Sequence, residues 1–98
     1  MTLPVAYLPQ AHDDIRAAHL AYEQQQTGRG ARFLDALRDR LDQIRATPAL
    51  YGVLHRNVRA APVRPFSYIV YYRVEAARIL IIAVQHAKRG NRAWRGRI

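Results

Sequence analysis

The chain of 98 residues is long enough for one domain with a single modest core, and it holds no cysteine. Disulfide staples, zinc–thiolate centres and thiol nucleophiles are thereby excluded, and a reducing cytoplasm is the expected compartment. The formal net charge is +9 and it is unevenly spread: residues 1–52 balance six arginines against six acids, whereas residues 53–98 carry nine arginines and Lys88 against Glu75 alone.

That asymmetry points to an anionic partner, nucleic acid or an acidic protein, with a merely solvated arginine-rich surface as the plainer explanation. The longest apolar run, Ile79 to Val84, falls far short of the roughly 20 residues of a membrane helix, so no membrane association is expected. Pro4 and Pro9 bracket the short apolar segment near the start, and no basic region precedes it, so no signal peptide is expected either.

In chain order, Val5-Ala6-Tyr7-Leu8 reads as a first strand, and Pro9 opens a helix at a position where its missing N–H is not needed. Asp13 and Asp14 fall in or just beyond the first turn, where they complement the helix dipole. Ala11, Ile15, Ala18 and Tyr22 recur at helical spacing and mark a buried stripe. His12 and His19 lie on a neighbouring stripe, but no carboxylate or third histidine stands at ligand spacing, so neither a metal nor a cofactor is expected. Thr27-Gly28-Arg29-Gly30 breaks the helix, and a second begins near Ala31. Its stripe is Leu34, Leu37, Leu41 and Ile44, widened by Phe33. Pro48 ends it by pushing Thr47 out of the helical region. The two helices form an antiparallel hairpin.

Residues Ala49 to Arg56 read as a loop with a turn at Tyr51-Gly52, and Asn57 to Arg64 as a strand that Pro62 and Pro65 confine to a sheet edge or end early. Two runs then dominate, Phe66 to Val74 and Arg78 to His86, both rich in Val, Ile and Tyr. They are joined by Glu75-Ala76-Ala77, which predicts an antiparallel hairpin with a three-residue loop. That loop pairs Val74 with Arg78, Tyr72 with Leu80, Val70 with Ile82, Tyr68 with Val84 and Phe66 with His86 on an apolar face. It leaves Ser67, Ile69, Tyr71 and Arg73 with Ile79, Ile81, Ala83 and Gln85 on an open one. A loop one residue longer or shorter exchanges one strand's faces relative to the other. The basic tail from Ala87 holds the only tryptophan, Trp94, which reads first as a pin for the tail.

This order resembles the RelE/ParE superfamily of type II toxin-antitoxin toxins over nearly the whole chain. Ala11-x-x-Asp14-Ile15 followed by Tyr22 is similar to its opening pattern, Val58-Arg59 to its "VR" strand, and Phe66 to Val74 to its "FPY-x-hydrophobic-x-Y-R-V" strand. His86-x-x-Arg89-x-x-x-x-Trp94 resembles the ending common on the ParE-like branch. Ser67 stands where the family usually has proline, and Gly90-Asn91 where Asp-Pro is frequent. The resemblance implies an α+β fold of order β-α-α-β-β-β, with the helical hairpin on one face of a small antiparallel sheet in one domain, 1–98.

Two activities follow from the resemblance: poisoning of DNA gyrase by protein contact on the ParE-like side, and cleavage of messenger RNA on the ribosome on the RelE-like side. The ParE-like ending favours the first, with Arg59, Tyr71, Arg73, Lys88, Arg89 and Trp94 as candidate target contacts and no catalytic residue. Ribonuclease chemistry needs a base, an acid and cations around the phosphorane, for which His86, Tyr71, Arg59, Arg73 and Arg89 are the candidates; against this, His86 falls on the apolar face and no tyrosine follows Tyr72. The implied partner is an acidic antitoxin that lays a helix on the helical hairpin, with Ile15, Tyr22, Leu34 and Leu37 as candidate contacts. A basic nucleic-acid-binding module without toxicity is the alternative of another class, although only Tyr71 offers an aromatic face for it.

Overall fold

The computed structural model describes residues 2–90 and 92–98. Strand β1 (Val5–Tyr7) leads into helices α1 (Pro9–Gln25) and α2 (Arg29–Ala46). Strands β2 (Val53–His55), β3 (Val58–Pro62), β4 (Tyr68–Val74) and β5 (Ile79–His86) follow. The five strands form one sheet in the order β1-β5-β4-β3-β2. Among β2 to β5 every pairing is antiparallel, as expected, but β1 runs parallel to β5. The helical connection between the two strands makes this possible, since a parallel partner needs a crossover.

Strand β2 lies where the sequence reads as a loop. It turns into β3 through Arg56 and Asn57, both at positive φ (48° and 65°), the backbone of a two-residue hairpin that usually carries glycine. Without that signature the strand leaves no mark in the sequence. Strand β3 does end at Pro62, as the prolines require.

Helix α1 begins with Pro9 in its first turn, and Ala11, Ala18 and Tyr22 are buried against the sheet while Ile15 is only partly covered. Asp13 and Asp14 lie past the first turn and do not serve the dipole: Asp13 pairs with Arg16 at the surface, and Asp14 turns toward β5. Helix α2 starts at Arg29, two residues before the expected point, and takes Gly30 into its first turn. A Cβ there would meet the His19 carbonyl oxygen at 2.7 Å and Glu23 at 3.0 Å. Glycine is what lets the helices approach. The buried stripe of α2 runs through Gly30, Phe33, Leu37 and Ile44, so Leu34 and Leu41 are shifted to its margin.

Across this approach the Glu23 carboxylate accepts the backbone N–H groups of Gly28 and Gly30 at 3.0–3.1 Å, so a side chain of α1 caps the start of α2. These bonds, Gly28's foremost, hold the Glu23 pKa below its ordinary 4.5. A carboxylate depressed in the folded state stabilises at pH values above its unfolded pKa, and that contribution disappears as pH falls through the folded one. Acidification from about pH 7 to about pH 3 should therefore lower the melting temperature less in Glu23→Gln than in the parent chain. Equal losses would show that the cap adds nothing.

The central hairpin differs from expectation by one residue. The loop is Glu75 to Arg78, four residues, so Val74 pairs with Ile79, Arg73 with Leu80 and Tyr72 with Ile81. A bulge then leaves Ile82 over, and Tyr71 pairs with Ala83, Val70 with Val84, and Tyr68 with His86. Ile79 and Ile81 consequently face the helices, and Leu80 faces the other way. The face expected to be open is not open. Val58, Tyr71, Leu80, Ile82 and Ala83 form a second core there, closed by Trp94 from the tail. Strand β5 is buried on both sides, and hence its unbroken apolar run.

Candidate functional site

The tail begins at His86, whose ring meets Tyr68 edge-on at 5.3 Å and whose Nδ1 accepts the Lys88 backbone N–H at 3.1 Å. That bond places the proton of the neutral ring on Nε2. Its beginning is thus tied down by the histidine. Gly90, at φ +74°, redirects the chain, and Asn91, half of the Gly90-Asn91 pair noted above, lies outside the described residues.

Trp94 then inserts fully against the sheet, 5.1 Å from the Tyr71 ring and 6.2 Å from His55. The Tyr71 hydroxyl donates to the Gly90 carbonyl at 3.4 Å. Burial raises its pKa, and the Trp94 indole N–H has no hydrogen-bond partner among the described residues. The amide of Gln85, 2 % exposed, also has no hydrogen-bond partner among the described residues. His55, on the rim of this core, has its pKa lowered by burial and then by Arg95 and Arg56.

Further along, Arg97 reaches back to α1 and meets Asp14 in a two-pronged pair, at 2.6 and 3.0 Å, with the side chains 16 % and 11 % exposed. The reason lies in the sheet. Strand β1 stops at Tyr7 because Pro9 starts the helix, while β5 runs on to His86. The backbone groups it leaves are taken up by side chains: the Val84 N–H donates to Asp14 at 3.0 Å, and Arg97 donates to the Ile82 carbonyl at 3.1 Å. Asp14 and Arg97 thus complete the sheet edge. Their 83-residue separation hides the pairing from any local pattern.

This geometry sorts the residues expected to act. Tyr71 and Trp94 are 1 % and 0 % exposed, which corrects their reading as target contacts: each is the other's packing partner. Arg59 is occupied, donating to the Tyr51 carbonyl at 2.6 Å and the Ala49 carbonyl at 3.4 Å. Arg73 donates to Glu75 at 3.0 and 3.2 Å, and Glu75 also receives Arg78; the two arginines hold the Glu75 pKa down. Lys88 and Arg89 stay exposed. Among the described residues neither has an ion-pair partner, and Arg64, in the turn before β4, shares that condition. The sequence analysis had placed Arg64 at the end of the strand from Asn57, whereas that strand stops at Pro62 and leaves Arg64 in the turn.

The expected antitoxin contacts divide in the same way. Tyr22 and Leu37 are 8 % and 4 % exposed and belong to the core. Ile15 and Leu34 are half-buried and line a groove of about 330 Å³ between the helices with Tyr7, His12, Arg38 and Leu41, and Leu37 also contributes to its lining. Among the described residues no group of three or more His, Cys, Asp or Glu side chains could hold a metal ion, and no helix is long and apolar enough to cross a membrane.

Comparison with known proteins agrees with the architecture. The family model described as the ParE toxin of the type II toxin-antitoxin system parDE matches residues 5–90. A chain from a chromosomal ParDE toxin-antitoxin system of P. aeruginosa superposes with a TM-score of 0.67 at 16% identity, over 87% of this chain and 96% of that one. A mutant of the E. coli toxin RelE in the free state superposes with a TM-score of 0.65, also at 16% identity, over 92% of this chain and 88% of that one. No curated protein sequence matches the chain significantly.

Proposed function

Because the chain belongs to the family of ParE toxins of type II toxin-antitoxin systems, we propose that it poisons DNA gyrase by protein contact and is neutralised by a cognate acidic antitoxin. The observation that carries this reading is the closed second face of the sheet. Transfer of protons to and from an RNA backbone needs an accessible acid and base near gathered cations. Tyr71 lies under Trp94, the Nδ1 of His86 is occupied by the tail backbone, and Arg59 and Arg73 are bound to carbonyls and to Glu75. What the surface displays is unpaired positive charge, suited to holding a protein. For the antitoxin, the half-buried Ile15 and Leu34 offer an apolar groove to an amphipathic helix.

The test is induction in cells, alone and with the adjacent gene product, together with supercoiling assays on the purified protein. Growth arrest with DNA damage, relieved by a co-purifying acidic protein, and loss of supercoiling are expected. His86→Gln should lower the melting temperature through loose docking of the tail while inhibition per folded molecule persists. Messenger cleavage on translating ribosomes, abolished by His86→Gln at unchanged stability, would overturn the reading in favour of the ribonuclease.

A further inference from the structure

We infer that the turn from Pro62 to Phe66, together with Lys88 and Arg89, forms a docking site for an acidic peptide segment with an apolar anchor, distinct from the groove between the helices. A pocket of about 490 Å³ opens beside this turn, with apolar walls from Pro62, Pro65, Phe66 and Ile69 and with Arg64 on its rim. Ala87 forms its far side, which sets Lys88 and Arg89 next to it along the chain. No carboxylate lines the pocket. Among the described residues the side chains of Arg64, Lys88 and Arg89 make no ion pair or hydrogen bond, so each is free for an incoming anion.

The hollow on the other side of the same turn makes the contrast. There Asp35 and Asp39 stand among Arg32, Arg40 and Arg64, the last of which lines both hollows together with Pro65 and Phe66, and Arg40 is already held by the Pro62 carbonyl at 2.6 Å. The first pocket differs in having no carboxylate in its lining to compete for Arg64. Charge complementarity therefore selects an acidic ligand, in a chain whose formal charge is +9.

The walls select a peptide over a nucleic acid. Single-stranded nucleic acid is gripped by aromatic faces on which bases stack. Here the Phe66 ring is in contact with Tyr22 and Phe33 at 4.8 and 5.4 Å, and the Tyr68 ring with Tyr22, Phe33 and His86 at 5.2 to 5.7 Å. These rings are committed to one another, and the prolines and Ile69 offer a socket for an aliphatic or aromatic side chain. The inference rests on the toxin reading only for which protein supplies the segment; the site itself is tested without that protein.

The experiment uses the whole chain and a fluorescein-labelled peptide of alternating glutamate and leucine, read by anisotropy. Saturable binding that weakens with salt is expected, with about a tenfold loss of affinity in the Arg64→Glu/Lys88→Glu variant. Both positions are exposed, so the melting curve of the variant should match the parent's. A peptide with serine in place of leucine should bind at least about tenfold more weakly. Equal affinity for parent and variant, equal binding of the serine peptide, or preferential binding of a single-stranded oligonucleotide would each overturn the proposal. Supercoiling assays run alongside separate the two readings, since a toxin that fails to inhibit gyrase yet binds the peptide at this site keeps the docking surface and loses only the target.

Discussion

Replacing Trp94 by alanine is expected to destabilise the protein by about 3–5 kcal/mol, the cost of truncating a fully buried large aromatic side chain. The indole is 0 % exposed and lies against Tyr71 on a core whose other members, Val58, Leu80, Ile82 and Ala83, are fixed on the sheet. None of them can move out to fill the gap. A domain of this size has only about 5–15 kcal/mol of net stability, so the loss should lower the melting temperature by on the order of 12 °C or more. Exposure of the second face should also raise binding of an apolar dye at temperatures where the parent chain binds none. A melting temperature within about 2 °C of the parent would show that the tail is not held by this residue.

Asp14→Ala should cost about 3 kcal/mol or more, far beyond what a surface ion pair supplies, because it strands two groups at once. Arg97 is left with its guanidinium largely enclosed, and the Val84 N–H loses its acceptor at the edge of β5. Arg97→Ala removes the other half of the pair and frees the Ile82 carbonyl. The two residues act on one structural feature, so the double variant should be much less destabilised than the sum of the singles, with a coupling of about 1–3 kcal/mol. Asp14→Asn is a useful intermediate, since an amide oxygen can still accept from Val84 while the charge attraction is gone. Additive single effects, measured by denaturant melts, would mean that the tail and helix are not joined through this pair.

Much of the architecture was legible because local chemistry specified it. Pro9 and Pro48 mark helix boundaries, Ala11, Ala18 and Tyr22 recur on one helical face, and the strands around Glu75 are dense in β-branched and aromatic residues. The excess of positive charge in the second half could be read directly, and the family resemblance was carried by motifs in these elements and at the start of the tail. Strand β2 was not legible, because Arg56 and Asn57 adopt positive φ without a glycine to announce it. Nor was the start of α2 at Arg29, since Gly30, read as part of the break between the helices, lies inside α2 and is needed for its contact with α1.

The sequence by itself determined both helices and every strand but β2, the helical hairpin over the sheet and the placement of positive charge in the second half. Tertiary structure alone decided which of those charges are available and that both faces of the sheet are covered. One extra loop residue and one bulge set the register of β4 on β5, and period-two alternation turned that into an exchange of Ile79 and Ile81 with Leu80. A tryptophan at the far end of the chain then covered Tyr71, and Arg97 found Asp14 across 83 residues. No periodicity encodes such contacts, because they depend on where the packed sheet leaves a cavity to fill and an N–H or carbonyl without a partner.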